Sequence, residues 1–507
     1  MTSRREFLAS TAALAGAAAT QGFAQQPKAR YRRYNQSSAN GARMLDSYEK
    51  AVRAMLKLPP SDPRNWYRNA LVHTLDCPHG NWWFLIWHRG YVGWFEQVCR
   101  DLSGDKDFAF PYWDWTQVPR IPARMFQGAL NPNDPAFIAS FAEFKKAFGP
   151  TLDGMWKAFN RDQVNQLLVR GLRFPLDLWF DIDTTPMFFD RGKARDLTKE
   201  KPDLPPQYAV TVIKARILDC LAPRDFTTFG STKARFHSTL IGFGPLEAFP
   251  HNQVHNGTGG FMQDNLSPVD PIFMLHHANI DRLWDVWTRK QQGFGYPIAP
   301  EGKDLDLWNN EPFLFFRDAK GNPVTKTKAG DYFAIGDFAY DYEPGTGEEV
   351  VPKAPQASRG AASSKVFSAD APEHANAIAL PADVVAKAAA PESRLFAKIT
   401  VDFPPLGHED VRFVMDGPED AEKVGDASPQ NLGTFSMFGH HVMHCPVTIT
   451  VPISTPVAAL RASGALRENQ PMSIRVVPVP KPPKPGVLMR HEPGEAPEVK
   501  AIVVESQ

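Results

Sequence analysis

Thiols are scarce in this chain. Four cysteines, Cys77, Cys99, Cys220 and Cys445, serve 507 residues, and no two form a CxxC pair. That argues against a disulfide-stapled scaffold and against a thiolate zinc or iron–sulfur site. An excess of one charge is missing as well. Lys+Arg and Asp+Glu both number 56, so the formal net charge is zero. Nucleic-acid and polyanion binders carry a basic surplus, and none is present. No stretch reaches the 18 apolar residues of a membrane span, and there is no internal repeat. What the chain does have is 43% hydrophobic content and 46 prolines against 35 glycines. The first is ample for a large core and more than one domain. The second points to long, stiff loops.

The chain opens MTSRREFLASTAALAGAAATQGFAQQ. Arg4 and Arg5 precede an apolar run from Phe7 to about Ala19, and Gly22-Phe23-Ala24 offers a small-residue cleavage site. This resembles a bacterial twin-arginine export signal, so residues 1–24 are expected to be a signal peptide of a periplasmic or secreted protein. Helical patterns follow: 40–58, an apolar helix over 83–102, and DPIFMLHHANIDRLWDVWTRK from Asp270, with Pro in its first turn. After Tyr342 the composition shifts to Ala, Pro and Ser. Short strand-like runs then alternate with turn residues. The expected architecture is a mainly α catalytic domain over 25–345 and a linker over 346–394. A small β-sandwich-like domain over 395–482 and an irregular tail over 483–507 complete it.

Half of the 14 histidines fall in two clusters. His73, His79 and His88 lie in an aromatic stretch. His251 and His255 are four apart, on one face if helical, and are followed by the adjacent pair His276 and His277. Adjacent helical residues point about 100° apart, so only one of that pair readily joins the same site. The count suggests three imidazoles per cluster and two metals. An all-imidazole set suits copper, zinc, iron or nickel, and three ligands leave positions open for chemistry. Burying these rings without partners would cost roughly 1–3 kcal/mol each.

At these residues the sequence resembles the type-3 copper family: tyrosinases and catechol oxidases, together polyphenol oxidases, and molluscan-type hemocyanins. The likeness covers roughly Arg30–Tyr342. His79-x8-His88-Arg in an aromatic helix, preceded by His73 and followed by PYWDW (Pro111–Trp115), resembles the copper A motif. His251-x3-His255, then GG, then DPIFMLHHANIDRLW, resembles the copper B motif. The resemblance implies two copper ions, Cu A on His73, His79 and His88 and Cu B on His251, His255 and His277. His276 is expected beside the site rather than on the metal. It implies that O2 bound between the metals oxidises o-diphenols to o-quinones and, in some members, hydroxylates monophenols. Glu247 and Asn252 match residues that orient a water near copper B and would deprotonate a monophenol. Asp281, one turn after His277, is expected to hold a ligand ring or an arginine, and Phe273, one turn before it, to line the pocket. Tyr340-Asp341-Tyr342 resembles the motif that closes the catalytic domain. Cys77-x-His79 resembles the arrangement in fungal tyrosinases whose sulfur is bonded to the histidine ring, implying a Cys77–His79 thioether.

In relatives, a C-terminal β-domain packs over the copper site. Phe435, Met437 and Phe438 are candidates for a plug in its entrance, and His440, His441, His444 and Cys445 for copper handling. The expected partners are O2, phenolic and catecholic small molecules and a copper chaperone, with neither nucleic acid nor a membrane span. Glu247 with Asn252 favours a tyrosinase over a catechol oxidase without monophenolase activity. A hemocyanin-like O2 carrier is the further alternative. A dinuclear zinc hydrolase is weaker, because ligating carboxylates and an HExxH motif are both missing.

Overall fold

The computed structural model describes residues 29–183, 194–354, 365–368, 377–388, 394–403, 410–417, 420–426, 428–437, 446–467, 471–479 and 497–507. The signal segment 1–24, Phe438 and the His440–Cys445 group lie outside the described residues. Ser38 caps helix α1 (Ala39–Lys57) by accepting from Gly41 N–H, and Asn65 caps α2 (Trp66–Asp76) by accepting from Tyr67 and Arg68. The apolar helix forms as α3 (Phe84–Ser103) and stops at Gly104, in the left-handed conformation at φ 72°. Two surface helices follow, α4 (Phe141–Ala158) and α5 (Arg161–Val169). The second histidine cluster lies on α6 (Asn252–Thr258), on the turn before it, and on α7 (Ile272–Phe294), which starts after Pro271.

Helix α3 packs against both α1 and α7 around a core that buries Trp66, Trp87, Trp113, Trp115, Trp284 and Trp287. Strand β1 (Tyr31–Arg33) pairs in parallel with β3 (Tyr340–Tyr342), so the Tyr-Asp-Tyr motif closes this domain against its own beginning. Both strands converge on Asp281. Arg89 donates to it at 2.6 Å, Arg33 at 3.2 Å and Tyr342 at 2.6 Å, and Tyr340 donates as well. Burial pushes this carboxyl up, but the two guanidinium groups outweigh it and hold it below its usual range.

The C-terminal region is a sandwich of two sheets. The first holds, in order, β5 (Ala377–Ala379), β10 (Pro471–Val479), β7 (Asp410–Met415) and β8 (Asn431–Phe435). The second runs β2 (Gly242–Phe243), β9 (Val447–Pro452), β6 (Leu395–Asp402), β11 (Glu498–Ser506) and β4 (Lys365–Ser368). Strand β2 comes from the catalytic domain and pairs in parallel with β9, Gly242 opposite Thr448.

Two sequence expectations are corrected here. Residues 498–506, expected in an irregular tail, form a strand between β6 and β4, because Ile502 and Val504 face the sandwich core. The linker expected over 346–394 contributes β4, β5 and a helix, Ala382–Lys387, whose Val384 and Val385 join the same core. Among the described residues no helix is long and apolar enough to cross a membrane.

Candidate metal centre

His73 lies in the last turn of α2, Cys77 to Asn81 form the following loop, and His88 sits one turn into α3. Gly80 takes a left-handed φ of 62° in that loop, and its N–H donates to Glu247 Oε1 at 2.8 Å. His251 ends a π-helical turn, Glu247–His251. Pro250 within it lacks the N–H that an α-helical rung needs, which accounts for the wider turn. The HxxxH pair therefore spans a π-to-α junction rather than one regular helix.

The rings assemble as two groups. Ligand nitrogens of His73, His79 and His88 lie within 4.8 Å of one another, and so do those of His251, His255, His276 and His277. The groups face each other: His88 and His277 stack at 4.3 Å between centroids and 10° between planes. All seven rings are buried.

Hydrogen bonds fix how the rings point. His73 Nδ1–H donates to Asn265 O at 2.7 Å, His88 Nδ1–H to Phe84 O at 2.8 Å and His255 Nδ1–H to Met262 O at 2.6 Å. His251 Nδ1–H donates to Asn252 Oδ1 at 2.8 Å. A carbonyl only accepts, so each of these rings carries its proton on Nδ1 and its lone pair on Nε2. The Nε2 atoms of His73 and His88 are 3.4 Å apart, two lone pairs facing each other. A proton does not resolve the conflict, because burial pushes the His88 imidazole down to about 3. Burial likewise lowers His251, His255 and His277. A dry pocket of converging neutral imidazole lone pairs fits a Lewis-acidic ion of the copper class.

His276 differs. Trp115 Nε1–H donates to its Nδ1 at 3.1 Å, which leaves the proton of a neutral ring on Nε2, and that buried atom has no hydrogen-bond partner among the described residues. Phe273 stacks on His277 at 4.1 Å and meets His73 edge-on at 5.1 Å, so it lies between the groups. Asp281 touches no ligand ring in this arrangement and holds Arg33 and Arg89 instead. Glu247 accepts from Gly80 N–H and from Ser231 Oγ at 2.8 Å; burial nevertheless pushes its carboxyl up to about 8. Cys77 Sγ lies 3.5 Å from His79 Nδ1, and Arg170, just after α5, donates to the same sulfur at 3.2 Å.

Among the plug candidates, Phe435 is buried. It is the last residue of β8 and packs into the sandwich core against Phe243 and Phe403. Strand alternation turns its ring toward that core. Met437 is partly buried against the same core.

Three features escaped the sequence reading. Phe84 sits 4.6 Å from His251 and 4.8 Å from His88, wedged between the two groups. The carbonyls of Asn265 and Met262 set two rings. His237 is buried between two carboxylates, 3.1 Å from Asp76 and 2.6 Å from Glu311.

The family domain described as the common central domain of tyrosinase matches residues 47–290. A chloroplastic polyphenol oxidase of Spinacia oleracea is 25% identical over 337 residues, 59% of this chain and 45% of the relative. A tyrosinase of Hahella sp. is 27% identical over 318 residues, 55% of this chain and 56% of the relative. The chain thus spans about half the length of these curated relatives. The solved structure of latent apple tyrosinase shares the fold at a TM-score of 0.57 and 19% identity, covering 96% of this chain and 98% of that one. Residues 47–290 thus match the central domain of tyrosinase, a domain of the type-3 copper family, whose members hold a pair of copper ions, and the two facing imidazole groups are where such a pair fits.

Proposed function

We propose that this protein oxidises o-diphenols to o-quinones with O2, two diphenols per O2 reduced to two waters, and that it also hydroxylates monophenols at the ortho position. The observation that carries the reading is the pair of Nε2 lone pairs of His73 and His88 facing each other 3.4 Å apart, in a buried site opposite a second imidazole group. In this reading His73, His79 and His88 hold one copper, and His251, His255 and His277 the other. The Trp115 hydrogen bond keeps His276 out of the ligand set. Copper supplies the electron transfer between phenol and O2.

The remaining roles belong to side chains. Phe84 and Phe273 keep the space between the groups dry and give a phenol ring apolar faces to pack on. Glu247, in the ionised form that a carboxyl pushed up to about 8 gains as pH rises, takes the hydroxyl proton of a monophenol, through water where one intervenes, and Asn252 helps orient that water. Each oxygen of Glu247 and the amide of Asn252 keep a further hydrogen-bonding position for this. The 3.5 Å approach of Cys77 Sγ to His79 Nδ1 supports a thioether to the His79 ring. Forming it removes one hydrogen from the thiol and one from a ring carbon, a two-electron oxidation with O2 as acceptor. The peptide would be two hydrogens lighter, and a freely alkylated Cys77 in copper-loaded protein would rule the bond out.

The deciding experiment measures metal content of purified protein, then quinone absorbance from catechol in air, then from tyramine alone. The expected results are about two coppers per chain and quinone from both substrates. Zinc in place of copper, or reversible oxygenation without quinone, overturns the reading. Quinone from catechol only restricts it to a catechol oxidase.

A further inference from the structure

Strand β8 is an edge strand. One side pairs with β7, and its other side would present unpaired peptide groups. Along 431–437 that free side is met by side chains of the catalytic domain. Arg216 donates to the carbonyls of Asn431 at 3.1 Å and Leu432 at 3.2 Å. Gln253 Nε2 donates to Thr434 O at 2.9 Å, Asn252 Nδ2 to Ser436 O at 3.1 Å and Asn256 Nδ2 to Met437 O at 3.3 Å. Ser436 Oγ returns a hydrogen bond to Gln253 Oε1 at 3.0 Å. Asn252, Gln253 and Asn256 are all buried and all on α6, the helix that follows His251 and carries His255.

Asn252 works at both ends. Its Nδ2 is held by Ser436 O while its Oδ1 accepts from His251 Nδ1. An amide has donors at one end and an acceptor at the other, so fixing Nδ2 on the C-terminal strand fixes Oδ1 toward His251. That in turn keeps the His251 proton on Nδ1 and its lone pair on Nε2.

We propose that segment 431–437 of the C-terminal sandwich, strand β8 and the two residues after it, is a positioning element of the copper B half-site, so that its seating on α6 and metal binding at His251 are coupled. The proposal rests on the dicopper reading above. Coupling of this kind is reciprocal: copper tightens the strand, and the seated strand retains copper.

The test compares copper-loaded wild type with Gln253→Leu, which loosens the strand without touching His251 or Asn252. Two quantities are read: hydrogen exchange at 431–437, and the rate at which a chelator removes each copper. The variant should exchange faster at 431–437 and release one copper roughly 5- to 150-fold faster, the other at the wild-type rate. Stripping copper from wild type should also speed exchange at 431–437. Ser436→Ala, which removes one hydroxyl, serves the same comparison if Gln253→Leu fails to fold. A loosened strand with both coppers released at wild-type rates overturns the coupling alone, as does unchanged exchange in both variants or after copper removal. Wild type that binds no copper overturns the dicopper reading and the coupling with it.

Discussion

Trp115 makes two neighbouring imidazoles chemically different. With its indole N–H on His276 Nδ1, the His276 ring holds its proton on Nε2, whereas His277 meets His255 Nε2 to Nε2 at 3.3 Å. His277→Ala should therefore lower bound copper from about two to about one per chain, and His276→Gln should leave it near two, as metal analysis of purified variants would show. Phe84 yields a second prediction. Its ring is buried among His251, His88 and His79, and truncation leaves a cavity. Phe84→Ala should cost about 3–5 kcal/mol in urea unfolding, and Phe84→Leu distinctly less. The histidine groups were legible because polar rings set at such spacings in apolar segments are costly to bury unless they share an ion. Phe84 was not, since every neighbour in WWFLIW is equally apolar. The carbonyls of Asn265 and Met262 were invisible, because every residue has one.

At the scale of elements, buried charge holds the site's scaffold in place. His237 bridges Asp76, the last residue of α2, to Glu311 in a distant loop. Burial opposes its charge, but Asp76 and then Glu311 outweigh it and hold the imidazole up at about 9. An ordinary unfolded histidine titrates near 6.5, so the native state binds this proton more tightly. The resulting stability is full below pH 6.5 and is lost as pH rises through 9. It amounts to on the order of 3 kcal/mol. His237→Gln should thus narrow the gap to wild type between pH 6.5 and 9.5 in urea unfolding of the copper-free forms; a gap independent of pH would refute the bridge. Asp281 carries a heavier load, since its loss leaves buried Arg89 without its carboxylate partner and Arg33 with Glu96 alone. Asp281→Asn should cost about 3–5 kcal/mol by the same measurement. Helices α1, α3 and α7 were legible from their periodicity and from Pro271. The π turn was not, because HxxxH reads the same on either helix, and β11 was masked by the proline-rich run before it.

On the scale of the whole molecule, the β-sandwich is built into the catalytic domain. Strand β2 belongs to one and pairs within the other, and Phe243, Ala248 and Phe249 lie in the sandwich core. At the chain's end, Gln507 Oε1 accepts from Arg224 N–H at 2.8 Å, and its Nε2 donates to Asp225 and Thr228. Composition exposed a second, β-rich unit, but a two-residue strand and a single terminal glutamine leave no pattern by which a sequence shows how two units join. The connection has a consequence for proteolysis. Cutting within 355–364 severs one covalent link and none of these contacts, so the two fragments should co-elute in native gel filtration and separate only in denaturant. Their separation without denaturant would show that the contacts are weaker than their burial implies. Deleting residues 395–507 is a different operation, since it exposes Phe243 and Phe249 to water and removes the strand that holds Asn252. The truncated chain should therefore aggregate or lose copper, whereas the nicked protein should keep both its metal and its solubility.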